Sequence, residues 1–311
     1  MKISFVVPAY NEEAYLPRCL ESILRETQTT SHLTEIIVVN NASTDTTHSV
    51  AESYQGVRVI RESRKGLLFA RQAGFDASSG ELIANVDADS ILTPGWIDTV
   101  LSEFAANKKL VALSGPFIYY DLSLLNNVLV RFYYYLGYIS YINNRFVLRV
   151  GSLLQGGNYI VHRSALEKIN GYNLSINFYG EDTDIARRLR PIGGVKFTFK
   201  LPMYSSGRRL KKEGLLTMGI KYPINYFWTI FFKKPFHTNY VDVRHEATPI
   251  FRTNVRKVFL ATTTMWTVCA AILMILFAGA LSTATFQELK PTTTRAATHS
   301  SFNIFSIQDN D

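Results

Sequence analysis

Two carboxylates one residue apart, Asp87-Ala88-Asp89, follow the apolar run Glu81–Val86 and precede Ser90–Pro94, which reads as the start of a helix. On an extended chain, residues i and i+2 point to the same side. Hard cations such as Mg²⁺ or Mn²⁺ take one or two carboxylates together with phosphate oxygens. The pair is therefore a candidate cation site for chemistry on a diphosphate. The competing reading is structural, with Asp89 capping the next helix and Asp87 a solvated strand end. A second acidic pair, Glu181-Asp182, opens a segment that turns helical after it, and the same two readings apply. Basic residues are the natural complement of a diphosphate. Arg61, Arg64, Lys65 and Arg71 surround Gly66, either bordering phosphates or forming a solvated basic face. Arg208 and Arg209 offer forks that suit phosphate, or else help to anchor the chain at a membrane.

These groups need a scaffold. The first ninety residues alternate short apolar runs with longer amphipathic stretches: residues 3–7, 13–25, 35–39, 46–54, 57–60 and 67–77. That rhythm predicts βαβ units, an α/β fold with a mostly parallel mixed sheet flanked by helices. Ligands in such sheets sit beyond the carboxyl ends of the strands. The polar stretches Pro8–Glu13, Asn40–Asp45 and Asp87–Asp89 follow the first, second and fourth strands, so all three are expected at one crevice.

The chain has 311 residues, 47% hydrophobic and only 19% charged, with a formal charge of +8. The apolar excess predicts contact with lipid, and the charge favours anionic partners. No basic helix with interleaved aromatics argues for nucleic acid. Cys19 and Cys269 are too few and too far apart for a disulfide framework or a zinc site. Residues 1–8 run into a strand pattern, not a signal peptide, so the N-terminal part is expected in the cytosol. Residues 258–281 carry no charge and are long enough to cross a bilayer. Arg244, Arg252, Arg256 and Lys257 before this span outweigh Lys290 and Arg295 after it, which places the N-terminal side in the cytoplasm. The expected organisation is a catalytic domain over 1–215, a membrane-surface segment over 216–257, a C-terminal transmembrane helix over 258–281 and a disordered tail over 282–311. The aromatic stretch 124–142 reads as a helix on the membrane surface or, equally, in a core or oligomer contact.

Four segments resemble, in order, the signature blocks of the family-2 glycosyltransferases with the nucleotide-diphospho-sugar transferase fold: VVPAYNEE (6–13), VVNNASTDTT (38–47), ARQAGFDASSGELIANVDAD (70–89) and GEDTDIARRL (180–189). The match runs from Ile3 to about Leu189. The resemblance implies a membrane-anchored, inverting, metal-dependent enzyme. It would move a sugar from a nucleotide-diphosphate sugar to a hydroxyl of a glycan or lipid-linked acceptor in polysaccharide biosynthesis.

By the same resemblance, Pro8, Tyr10, Asn11 and Glu12 form the loop over the nucleobase, with a helix cap as the lesser alternative for Asn11 and Glu12. Asn41 and Asp45 lie against the base, Asp45 with a capping alternative. Asn40 and Asn41 stand where aspartates are common, which leaves the identity of the base open. Lys65 and Arg71 border the diphosphate. Asp87 serves the ribose and the water shell of an Mg²⁺ or Mn²⁺ ion, and Asp89 holds the ion. Gly157 and Asn158 approach the sugar, Asp182 beside Glu181 is the general base, and Arg208 closes over the diphosphate. Some enzymes of this fold use a late histidine as a third metal ligand, for which His237 and His245 are the candidates here, but an interfacial role is favoured for both. Two rivals remain: transfer to a polyprenyl phosphate, which is already ionised and needs no base, and a non-catalytic nucleotide-sugar-binding scaffold.

Overall fold

The computed structural model describes residues 1–142, 153–237 and 241–244. All of these belong to one compact unit, Met1–Pro249. The expected membrane span over 258–281, the tail after it and His245 lie outside the described residues. Among the described residues no helix is long and apolar enough to cross a membrane.

The chain opens β1 (Ile3–Ala9), α1 (Leu16–Thr29), β2 (Thr34–Asn40), α2 (Thr47–Glu52), β3 (Val57–Arg61), α3 (Leu67–Ala77) and β4 (Leu82–Val86). The βαβ rhythm is therefore found almost residue for residue. β1, β2 and β4 are buried nearly throughout, as strands covered on both faces must be. α1 turns Leu16, Cys19, Leu20 and Ile23 to the sheet at helical spacing. Its start is eased by Pro17, whose missing N–H costs nothing in the first turn. On β1, Phe5 and Val7 belong to one core layer, with α1 and Trp96, and Val6 belongs to the other, with α3. α3 rides close to the sheet at Gly74, where a Cβ would come within 2.2 Å of Val6.

Next come β5 (Ser90–Leu92), α4 (Trp96–Ala106), β6 (Leu110–Ser114), β7 (Phe117–Tyr119), α5 (Leu124–Ile142), β8 (Asn158–His162), α6 (Arg163–Lys168) and α7 (Glu181–Leu189). β9 (Gly194–Phe197), β10 (Met203–Ser205), α8 (Arg208–Glu213) and α9 (Leu215–Phe232) complete the unit. The main sheet has the order β3-β2-β1-β4-β8-β6-β9, and β5-β10-β7 form a small second sheet. β1 to β4 are parallel where they pair, and β8 runs antiparallel to both its neighbours. The sheet is thus mixed, as expected, and the carboxyl ends of the adjacent strands β2, β1 and β4 share one edge.

Two expectations fail locally. Ser90 does not begin a helix. It begins β5, which pairs with β10, and the N–H of Ser90 donates to Asp87 O at 2.9 Å, so Asp87–Asp89 is a turn and not an extended pair. Pro94 disfavours helix in the residue before it, and α4 starts only after Gly95, whose φ of +76° suits glycine. Nor does packing break at residue 215: α9 packs on α7 and α8 within the same unit.

α5 packs one side on the edge of the sheet. Tyr134 stacks on Phe197, Tyr135 on Phe199, and the Tyr141 hydroxyl donates to Val195 O at 3.2 Å. Its other side leaves Leu124, Val128 and Ile139 exposed.

Candidate active site

The loops after β1, β2 and β3 build a cavity lined by Pro8, Tyr10, Asn41, Lys65, Asn177, Phe178 and Arg244, among others. Lys65 Nζ lies 3.9 Å from the Tyr10 ring centroid and donates to its hydroxyl at 2.6 Å. Arg244 lies 5.2 Å from the same ring. An aromatic face with two cations beside it suits a nucleobase and its phosphates. Of the four cations around Gly66, Arg64 pairs with Glu62 at 2.7 Å and Arg61 contacts His48, both away from the cavity.

Several polar residues assigned to the base turn out to hold the loops. Asn41 Nδ2 donates to Glu62 O at 3.1 Å and Arg64 O at 2.8 Å, and Oδ1 accepts from Gly66 N at 2.8 Å. An aspartate has no N–H to give these carbonyls, which explains the amide here. Asn11 has φ +52° and exchanges hydrogen bonds with Thr44. Asp45 accepts from Thr47 N at 3.0 Å, in the first turn of α2, and from Glu13 N at 3.3 Å. Asp45 thus ties the loop after β1 to the start of α2. Glu12 is buried and points inward, with Oε1 2.5 Å from Arg208 and 3.3 Å from Arg244, while Oε2 has no hydrogen-bond partner among the described residues.

The acidic turn lies next to this cavity. The Asp87 side chain is 35% exposed and the Asp89 side chain 13%. Arg208 Nη2 sits 3.0 Å from Asp89 Oδ2, so one guanidinium bridges Glu12 and Asp89. Burial pushes the Asp89 carboxyl up to about 7, against the pull of Arg208. These residues fit a hard cation: two carboxylates, an orphaned buried oxygen on Glu12, and a positive charge already drawn between the acids. Among the described residues no group of three His, Cys, Asp or Glu completes a metal cage. An Mg²⁺ or Mn²⁺ ion would take its remaining ligands from phosphate and water. His237 contacts Asn225 and the Tyr179 ring.

The second acidic pair starts α7 after Gly180, at φ +77°. Glu181 is buried and 2.6 Å from Arg71 Nη1, and Arg71 Nη2 is 3.2 Å from Asp87 Oδ1. Arg71, expected at the diphosphate, is only 1% exposed and lies beneath the acids. Burial raises Glu181 to about 7, Arg71 opposing and Asp182 adding to the rise. Burial also raises Asp182 above the usual carboxylate range, although the N–H groups of Thr183 (2.7 Å) and Gly156 (3.3 Å) stabilise its anion.

The glycines 156 and 157 bring the pairs together. A Cβ on Gly157, at φ +78°, would lie 2.1 Å from Asp87 Oδ2, and one on Gly156 would lie 2.6 Å from Glu181 Oε1. Asn158 is fully buried and does not reach a ligand. Its Nδ2 donates to Gly115 O and Leu201 O at 3.1 and 3.0 Å, and Oδ1 accepts from Trp96 Nε1 at 3.3 Å.

Beyond Asp182 stand Tyr134, Tyr222 and Gln155. Burial raises the Tyr134 phenol, with the Asp182 charge contributing, and Tyr134 donates to Gln155 Oε1 at 2.8 Å. Sequence reasoning missed these three as well as Asn177, Phe178 and Arg244. The nearest signals were the aromatic residues before the GED block and the cluster of late arginines.

The chain matches Glycosyl transferase family 2 over residues 4–170, more than half its length, and belongs to that family. It is 35% identical over 103 residues to the putative glycosyltransferase EpsH of Bacillus subtilis, covering 32% of this chain and 29% of that protein. It is 33% identical over 138 residues to the glycosyltransferase GlyG of Streptococcus pneumoniae, covering 43% of each. The match thus spans less than half the length of these relatives. Among solved structures it is similar to the mannosyltransferase PcManGT from Pyrobaculum calidifontis in complex with GDP-Man and Mn²⁺, at 17% identity and TM-score 0.55, over 90% of this chain and 80% of that one. It is similar also to glucosyl-3-phosphoglycerate synthase from Mycobacterium tuberculosis in complex with Mn²⁺ and UDP-glucose, at 21% identity and TM-score 0.51, over 73% and 78%. At such identities the likeness speaks for the fold alone.

Proposed function

We propose that the protein transfers a sugar, with inversion, from a nucleotide-diphosphate sugar to a hydroxyl of a membrane-linked glycan or lipid. One observation carries this reading: adjacent glycines touch both acidic pairs, Gly157 packing on Asp87 and Gly156 donating its N–H to Asp182. Donor and base are then one loop apart. Asp182 takes the proton of the acceptor hydroxyl as that oxygen bonds to the anomeric carbon. The bond from carbon to the diphosphate oxygen breaks on the opposite face, its electron pair leaving with the nucleoside diphosphate. Asp87 and Asp89 would hold an Mg²⁺ or Mn²⁺ ion, which when bound would supply charge neutralisation of that leaving group. Tyr10 and Lys65 hold the base and phosphates, and Arg208 exchanges its carboxylates for phosphate. The nucleotide-sugar and Mn²⁺ complexes of the fold neighbours support the choice of donor and ion.

The test is a panel of UDP-, GDP-, dTDP- and CDP-sugars with Mn²⁺, followed by calorimetry and by release of the nucleoside diphosphate. One donor is expected to bind and turn over. Failure of every donor, with membranes added, would support the scaffold reading instead.

The membrane location is supported by α9. Leu216, Ile220, Ile224, Phe227 and Phe231 are all exposed, at spacings of three and four residues that make one apolar stripe. Lys233 and Lys234 follow it, as suits an anionic lipid surface. The other side of α9 sets Tyr222 against Tyr179 and Thr229 beside Gly180, the two residues that lead into α7, the helix that carries Asp182. In this reading the catalytic unit lies on the cytosolic side of the inner membrane, anchored by residues 258–281. Phe227→Ser with Phe231→Ser is expected to lower turnover of a vesicle-borne acceptor by about ten-fold or more, since each buried aromatic is worth roughly 1.5–3 kcal/mol. Donor binding measured alongside should not change. Equal turnover by wild type and variant on anionic vesicles counts against docking by this face.

A further inference from the structure

We propose that Arg71 is a positioning residue, not a diphosphate ligand: it couples the donor-side carboxylate Asp87 to the catalytic base Asp182 by way of Glu181. The inference rests on the transferase reading above. Its geometry is independent of any bound group.

Arg71 projects from α3 and is 1% exposed, one of the largest fully buried side chains of the protein. Its guanidinium lies between the end of β4 and the first turn of α7, 3.2 Å from Asp87 Oδ1 and 2.6 Å from Glu181 Oε2. The Tyr159 ring of β8 closes the site, 5.4 Å from the guanidinium carbon. Nε and Nη1 make no hydrogen bond among the described residues, but both are sealed from solvent, so a phosphate reaches the fork only if a covering side chain moves.

The two contacts are unequal. Glu181 is close and buried, whereas Asp87 is farther from Arg71 and partly open to ligand. A ligand that draws on Asp87 therefore competes with Arg71 for that carboxylate and leaves the guanidinium to Glu181. Glu181 is the first residue of α7 and Asp182 the second, so the grip on one fixes the turn that presents the other. Gly156 supports the same arrangement from above, close to the Glu181 carboxylate and donating to Asp182. Glu181 then counterbalances the arginine and does not accept the acceptor proton. Three acids, Asp87, Glu181 and Asp182, converge here around this one buried arginine, which is among the groups that bear on the titration of both Glu181 and Asp182.

The experiment uses the full chain and four variants: Arg71→Lys, Arg71→Met, Glu181→Gln, and the charge-balanced double Arg71→Met/Glu181→Gln. Calorimetry measures binding of Mn²⁺ with UDP and with GDP. Turnover is measured with the nucleotide sugar that the donor panel selects. Arg71→Lys keeps the charge but loses the fork. It is expected to lower kcat by about 10–100-fold, the usual cost of losing a supporting partner, with nucleoside diphosphate affinity changed by less than about three-fold.

The double variant is expected to have a kcat no lower than the worse single variant, because the two side chains act as one unit. Full kcat in Arg71→Lys would overturn the proposal. So would a ten-fold or greater loss of UDP or GDP affinity in Arg71→Met that simply multiplies the effect of Glu181→Gln, since that is how an independent phosphate ligand behaves. Removing a buried partner can unfold a protein. Arg71→Lys and the double variant keep the proposal testable if Arg71→Met does not melt cooperatively. If wild type binds no nucleoside diphosphate at all, the transferase reading fails first, and the two failures are told apart.

Discussion

Asp182→Asn is expected to lower kcat by about 10²–10⁴-fold, the contribution of a well-placed carboxylate base, while binding of Mn²⁺ with the nucleoside diphosphate stays within about three-fold. The amide is nearly the same size, and its one oxygen can keep the bond from Thr183 N–H, the shorter of the two that hold the carboxylate now, while the weaker bond from Gly156 N–H to the other oxygen is lost. What it loses is the capacity to take a proton. The pH profile should report the same group. Burial raises Asp182 above the usual range for an aspartate, and a protonated carboxyl cannot act as a base. Wild-type kcat should therefore fall as pH is lowered, with its acidic limb above about 4, where an unperturbed aspartate titrates. That limb should be absent from the residual rate of the variant. A variant that keeps most of its turnover would point to an acceptor already ionised, such as a polyprenyl phosphate. Kinetics over pH 4–8 with the selected donor separate the outcomes.

The parts of this site that were legible in the sequence are those whose chemistry is local. The parallel strands announced themselves because a strand buried on both faces is apolar nearly throughout, and the acids at their ends stand out against such runs. Asp87 and Asp89 were found this way, Glu181 and Asp182 as an acidic pair at the start of a helical segment, and the structure brings the two pairs to one place. The misreadings share a physical cause, which is a partner far along the chain. Asn158 looked available to a sugar, yet its amide is consumed by carbonyls of Gly115 and Leu201, each 43 residues away. Ser90-Ile91-Leu92 resembled a helix start because β10, its pairing strand, lies more than a hundred residues later. Asn41 was read as lying against the base with the base's identity open, whereas its two donors and one acceptor shape the loop that carries Lys65. Arg71 was recognised as important, but no spacing rule says that it lies under the acids instead of over the phosphates. Phe178, Asn177 and Arg244 carry no pattern of their own and become meaningful only when the chain folds back on Tyr10.

Asp89→Asn should separate function from stability. At present Asp89 is a buried carboxylate whose ionised form is held by Arg208, and burial raises its pKa in spite of that arginine. An amide of the same shape removes the cost of keeping a charge there and leaves Arg208 paired with Glu12 at 2.5 Å. The melting temperature of the unliganded protein should therefore be unchanged or higher, as is common where a site is kept strained for use. Catalysis should suffer heavily. With one carboxylate of the pair gone, a cation bound there to neutralise the leaving diphosphate would lose a protein ligand. A fall of about 10²–10³-fold in kcat/KM is expected, comparable to removing one preorganised electrostatic contact from a transition state. Titration of Mn²⁺ by electron paramagnetic resonance, with UDP or GDP present, should show free ion remaining at concentrations where wild type has bound it. If Asp89→Asn lowers the melting temperature by many degrees while Mn²⁺ binding survives, the aspartate belongs to the scaffold, and Asp87 or Glu12 becomes the first place to look for the cation.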